Sequence, residues 1–128
     1  MTKKPKLLVV DDERDICNFV KSFCEMRGFE VRTAVNGDEA MLMLQKERPD
    51  VVILDIMMRS EREGLEYLPR IKKDLPSAKV LMVTGVEDAG TVESAKKLGA
   101  DDYITKPLVL EYLESTVLKK IGMLTKAA

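Results

Sequence analysis

The sequence predicts an α/β fold of the doubly wound kind, a (βα)5 chain with one parallel five-stranded sheet and helices on both faces. Three observations carry this. Short runs rich in β-branched residues, Leu7–Val10, Val51–Leu54 and Val80–Val83, show no polar alternation, as expected of strands buried on both faces. Between the runs, apolar residues recur at helical spacing. The two patterns alternate strictly over short connections, which implies parallel strands joined by right-handed crossovers.

The elements follow in order. Leu7–Val10 is the first strand and runs directly into Asp11, Asp12 and Glu13. The first helix carries Ile16, Phe19, Val20, Phe23 and Met26 on one stripe and stops at Gly28. Glu30–Ala34 is a weaker strand, followed by a helix over Asp38–Lys46 built on Ala40, Met41 and Leu44. After the central strand Val51–Leu54, a helix over Leu65–Asp74 buries Leu65, Leu68 and Ile71, with Pro76 beyond its end. Val80–Val83 leads to a helix over Glu87–Lys97, carried by Val92 and Ala95 and ended by Gly99. A weak fifth strand, Asp102–Ile104, precedes a last helix over Leu108–Ile121 patterned on Leu110, Leu113 and Val117.

No linker, low-complexity tract or repeat beyond the βα unit interrupts the 128 residues, so residues 1–128 are read as a single domain. The net charge of -1 advertises neither nucleic acid nor membrane as a partner. Met1–Lys6 is polar and leads into a short apolar run, without a signal-peptide core or a spanning stretch of about 18 apolar residues. The expected location is cytoplasmic. Histidine is absent, which removes Ser-His-Asp triads, His-based metal sites and phosphohistidine carriers. Cys17 and Cys24 are seven residues apart on one helix, about 10 Å along its axis. That is beyond disulfide reach, so they read as small apolar fillers.

In a parallel sheet the C-terminal ends of all strands share one edge. Residues that follow the apolar runs therefore meet there: Asp11, Asp12 and Glu13, then Asp55, Thr84 and Lys106. Two carboxylates a few ångströms apart repel by roughly 1 to 4 kcal/mol, a cost that a hard divalent cation removes. Mg²⁺ suits the set, since it takes one or two carboxylates with waters and phosphate oxygens. Lys106 adds a point charge for a phosphoryl oxygen, Thr84 a hydroxyl, and Gly85 lets a ligand approach the backbone. Together these residues suit phosphoryl transfer onto a carboxylate. Asp55, alone at the end of the central strand, is the best acceptor, and Asp11 with Asp12 forms the metal pair. Each residue also has an ordinary reading: Asp11, Asp12, Asp55 or Thr84 as a helix cap, Lys106 as a surface amine, Tyr103 as rim packing. The constellation outweighs these individually reasonable alternatives.

The segments "VVDDE", "VVILDIMM", "MVTG" and "KKLGADDYITKP" together resemble the receiver domain of two-component response regulators, over essentially the whole chain. The resemblance implies the flavodoxin-like strand order 2-1-3-4-5, with the first and third strand ends adjacent at the topological switch point. It implies Asp55 as phosphoacceptor, and Asp12, Asp55 and the Met57 backbone carbonyl as Mg²⁺ ligands with Asp11 assisting through water. Thr84 and Lys106 would contact the phosphoryl group, Tyr103 would change rotamer as Thr84 moves, and the Lys106-Pro107 bond would be cis. Two departures stand out. "RSEREGLEYL" has Arg59 where the family usually has proline and one extra residue before Gly64, and Leu108 stands where phenylalanine is common. Arg59, Glu61, Arg62 and Glu63 are expected either to pair with a partner or to be solvated.

The function implied is a phosphorylation-dependent switch rather than an enzyme with a turnover substrate. Its partners would be a histidine kinase or histidine phosphotransfer protein, and an output domain or partner protein controlled through the α4-β5-α5 face. That face would also be the one used by any weak homodimer. Neither nucleic acid nor membrane is an expected direct contact. Met57 and Val86, two residues past Asp55 and Thr84, are expected to flank the pocket and prolong the phosphate's life. A haloacid-dehalogenase-like hydrolase or phosphotransferase would want Asp-x-Asp after the first strand, which "DDER" lacks. A pseudo-receiver that only binds partners would need a damaged pocket, and a nucleotide-binding Rossmann domain would need a Gly-rich fingerprint that is missing.

Overall fold

The computed structural model describes residues 4–85 and 89–125. Five strands, β1 (Lys6–Val10), β2 (Glu30–Ala34), β3 (Val51–Asp55), β4 (Lys79–Thr84) and β5 (Asp102–Thr105), form one parallel sheet in the order β2-β1-β3-β4-β5. The helices are α1 (Arg14–Glu25), α2 (Gly37–Glu47), α3 (Glu63–Asp74), α4 (Ala89–Lys97) and α5. The last begins as Leu110–Tyr112, widens to a π-helix over Leu113–Val117 and continues as Leu118–Thr125.

Alternation along the strands sends successive side chains into two separate cores, one on each face of the sheet. Leu8, Val10, Val52, Leu54, Val80 and Met82 pack with Ala40 and Leu44 of α2, Leu68 and Ile71 of α3 and Ala95 of α4. Leu7, Val9, Val51, Ile53, Leu81 and Val83 pack on the other side with Val20 and Phe23 of α1 and Leu113, Val117 and Ile121 of α5. Strands covered on both sides are why the sequence shows continuous apolar runs. The two cysteines are free and buried in the second core, and burial pushes both thiols up to about 11. They are inert fillers at neutral pH.

The boundaries differ from the periodicity in instructive places. Asp55 and Thr84 are the last residues of their strands rather than the first beyond them, because Asp55 pairs with Val83 and Thr84 with Thr105. The third helix starts at Glu63, two residues before the apolar stripe begins at Leu65. The last helix starts at Leu110 instead of Leu108, since Val109 is extended; the Lys106-Pro107 bond is cis. It also runs on to Thr125, past Ile121. Glu87, the expected start of the fourth helix, and Val86 lie outside the described residues. Among the described residues, no helix is long and apolar enough to cross a membrane.

Candidate functional site

The adjacency of β1 and β3 builds the site. Val10 is in register with Leu54, so the next residues, Asp11 and Asp55, stand side by side at the strand ends. Both are only 2% exposed, while Asp12 faces solvent. One carboxylate oxygen from each of Asp11, Asp12 and Asp55 falls within 4.8 Å of the others. Three hard oxygen donors so close together, two of them buried, are the chemistry a magnesium ion takes. The simple capping role is not what these acids adopt at α1: its N-cap is Glu13, which makes no side-chain cap bond. Asp11 Oδ1 instead accepts the Glu13 backbone N–H at 2.9 Å, which fixes its rotamer toward the rim.

Lys106 reaches the same point from β5. Its backbone N–H donates to the Thr84 carbonyl at 2.9 Å, extending the β4–β5 pairing by one residue. Its ammonium lies 2.8 Å from Asp55 Oδ2 and 3.5 Å from Asp11 Oδ2. Thr84 is buried between them at the end of β4. The structure thus gathers Asp11, Asp12, Asp55, Thr84 and Lys106 from four separate chain segments. Tyr103 is half-buried on β5 and packs at the edge of the first core, with the Lys120 ammonium 5.2 Å from its ring centre.

Negative charge at this rim is costly even beside Lys106. Burial pushes the Asp55 carboxyl up to about 6; the neighbouring Asp11 charge and, less strongly, Asp12 add to this, and the hydrogen bond and charge of Lys106 oppose it. Burial alone would lower Lys106, but the Asp55 hydrogen bond and the charges of Asp55 and Asp11 outweigh it and raise the ammonium above its ordinary range. The lysine therefore stays protonated, and a group carrying more positive charge would be welcomed.

The segment between β3 and α3 closes the site on one side. The exposed Met57 side chain borders a cavity of about 460 Å³ that also reaches Thr84, Gly85, Glu61, Arg62 and Thr91. Gly64 is required here: a Cβ on it would lie 2.2 Å from the Asp55 carbonyl oxygen and 2.6 Å from the Ile56 Cα. The Gly64 N–H donates to the Ile56 carbonyl at 2.8 Å, so α3 starts pressed against the end of β3. Of the four charges in this segment, Arg59 and Glu63 pair with each other inside the molecule. Glu63 is 4% exposed. It accepts the Arg59 Nη2 at 2.7 Å, the Arg59 backbone N–H at 2.8 Å and the Gly37 backbone N–H of α2 at 2.7 Å. The sequence held one hint of this, the four-residue spacing of the opposite charges, but that spacing carries meaning by itself only on a helix.

A model of the response regulator receiver domain matches residues 7–118. The chain belongs to the response regulator receiver domain family. Among relatives, the receiver is 38% identical over 125 residues to the probable transcriptional regulator ycf27 of Guillardia theta, covering 98% of this chain and 48% of that protein. It is 38% identical over 113 residues to the transcriptional regulatory protein CrdR of Helicobacter pylori, covering 88% of this chain and 53% of that one. The receiver therefore spans about half the length of these curated relatives. The receiver domain of NtrX from Brucella abortus superposes with a TM-score of 0.83 at 34% identity, over 95% of this chain and 99% of that one. The chemotaxis protein CheY4 of Vibrio cholerae does so with a TM-score of 0.84 at 30% identity, over 94% and 98% of the two chains. The family match gives no support to the haloacid dehalogenase or pseudo-receiver alternatives.

Proposed function

We propose that this receiver is a phosphorylation-controlled switch in which Asp55 accepts a phosphoryl group from the phosphohistidine of a histidine kinase or histidine phosphotransfer protein. The observation that supports it best is the Lys106 ammonium, 2.8 Å from Asp55 Oδ2 at a rim shared with two further acids. An Asp55 carboxylate oxygen attacks phosphorus, the bond from phosphorus to the donor imidazole breaks, and the imidazole leaves after taking up a proton. The product is an acyl phosphate on Asp55. Lys106 follows the charge from carboxylate to phosphoryl oxygen, and the Thr84 hydroxyl orients another of those oxygens. Asp11, Asp12, Asp55 and the Met57 backbone carbonyl would hold Mg²⁺, which supplies neutralisation of the carboxylates and the phosphoryl oxygens when bound.

No separate turnover substrate is part of this reading; the protein assists its own phosphorylation and the later hydrolysis. Movement of Thr84 toward the phosphoryl group, followed by Tyr103, would repack the face formed by α4, β5 and α5 for an output domain or partner. The names of the ycf27 and CrdR relatives point to a transcriptional output, in which this domain would act without touching nucleic acid. Incubation with a small acyl phosphate and Mg²⁺ should give one equivalent of hydroxylamine-labile phosphate per chain, and Asp55→Asn should give none. Undiminished uptake by Asp55→Asn would overturn the assignment.

A further inference from the structure

We infer that Arg59 and Glu63 are positioning residues for Mg²⁺ binding: their paired side chains fix the segment that carries the Met57 carbonyl against the N-terminus of α2. The inference rests on the proposed use of that carbonyl as a ligand and goes beyond it, because neither side chain belongs to the acidic rim itself.

The segment from Ile56 to Arg62 links the end of β3 to α3, and its backbone has few anchors of its own. Ile56 N–H donates to Val83 at 3.0 Å, and Met58 N–H donates to Ser60 within the same turn at 3.1 Å. Beyond Ile56, whose carbonyl also accepts the Gly64 N–H, the Glu63 carboxylate ties the turn to α2. It receives the Arg59 backbone N–H and the guanidinium through both Nε and Nη2, and its Oε2 also accepts Gly37 N–H from α2. Arg59 Nη1 reaches Asp38 Oδ2 at 3.5 Å, and Asp38 in turn accepts the Tyr67 hydroxyl of α3. Gly37 lies so close to Tyr67 that a Cβ there would sit 2.1 Å from the ring.

The turn, α2 and α3 are thus joined at one buried carboxylate, whose guanidinium partner Arg59 stands two residues after Met57. A planar guanidinium satisfies two oxygens at once, so it fixes orientation as well as distance, which an ammonium does not. Loss of the fork leaves the Glu63 carboxylate with a backbone donor on each side but no cation, and the turn that carries the Met57 carbonyl loses its side-chain clamp.

The test is Mg²⁺ titration by calorimetry on the full chain, with thermal midpoints recorded in EDTA. Arg59→Ala and Glu63→Gln are each expected to weaken Mg²⁺ binding about tenfold, in the range of partners that orient a metal ligand. Arg59→Lys, which keeps charge without the fork, should fall nearer Arg59→Ala than the parent. Ile121→Val, in the opposite core, lowers the thermal midpoint but should leave Mg²⁺ affinity unchanged, which separates positioning from general loosening. In metal-free protein the Gly37 and Met58 amides should exchange faster in Arg59→Ala. Dissociation constants for Arg59→Ala and Glu63→Gln within twofold of the parent overturn the inference while leaving the metal site intact. A parent protein that takes up no Mg²⁺ overturns both the inference and the reading it rests on.

Discussion

In Mg²⁺-free buffer at pH 7.5, Asp55→Asn is expected to be more stable than the parent by on the order of 2 kcal/mol, or about 5 to 10 °C in thermal midpoint. The sign follows from the raised Asp55 carboxyl. An unfolded aspartate titrates near pH 3.9, whereas burial holds the folded one up to about 6. The folded state therefore binds the proton more tightly. Stability associated with Asp55 is fully present below the unfolded value and is lost as pH rises through the folded one. Asparagine keeps an acceptor for Lys106 but carries no charge to desolvate, so the advantage of the variant should vanish near pH 4 and be complete by pH 7. Thermal melts in EDTA across that range check it. A variant less stable than the parent at pH 7.5, or an advantage that does not change with pH, would contradict the account. Phosphate uptake and stability would thus move in opposite directions for one substitution, the usual sign of a residue kept for chemistry.

Lys106→Met is expected to act in the other direction. It leaves the nearly buried Asp11 and Asp55 carboxylates facing each other without the cation that lies 3.5 and 2.8 Å away. Removing one partner of a buried pair costs about 3 to 5 kcal/mol, and the partial exposure of Lys106 places the expected loss near the lower end, at pH 7.5 in EDTA. Since the folded lysine is raised above its ordinary range, its contribution is present throughout the neutral range and would be lost only as pH rises through that elevated value. The deficit of Lys106→Met should shrink toward pH 5, where Asp55 takes up a proton and the repulsion falls. Millimolar Mg²⁺ should also reduce it, by replacing the missing charge. Combining Lys106→Met with Asp55→Asn should cost less than Lys106→Met alone, because the two residues interact directly. Melts that show no loss, or the same loss at pH 5 and 7.5, would rule out this electrostatic reading.

The sheet, its five βα units and most of the rim were legible in the sequence because two-sided burial writes itself as uninterrupted apolar runs. Once those strands are parallel, Asp11, Asp55, Thr84 and Lys106 must reach the same edge, and the structure places them there. The strand order needed the family resemblance, since periodicity does not say which strands are neighbours. What remained hidden was the pairing of Arg59 with Glu63. Its partners include the Gly37 backbone, 26 residues away, and nothing local in "RSEREGLEYL" reports a contact made across two elements. A carboxylate that is exposed by composition but buried by four donors leaves no periodic trace. The late start of α5 was hidden for a related reason: Leu108 is apolar and buried, which suits a helix stripe, but the extended Val109 intervenes.

The claim beneath all of this is that acids far apart in the chain share one metal ion at the sheet edge. Calorimetric titration of Mg²⁺ into the parent protein, Asp12→Asn and Asp55→Asn tests it most directly. The account predicts one ion bound per parent chain at millimolar concentration or below, with both substitutions weakening it by about tenfold or more. Equal Mg²⁺ affinity in all three proteins, or none in the parent, would contradict it.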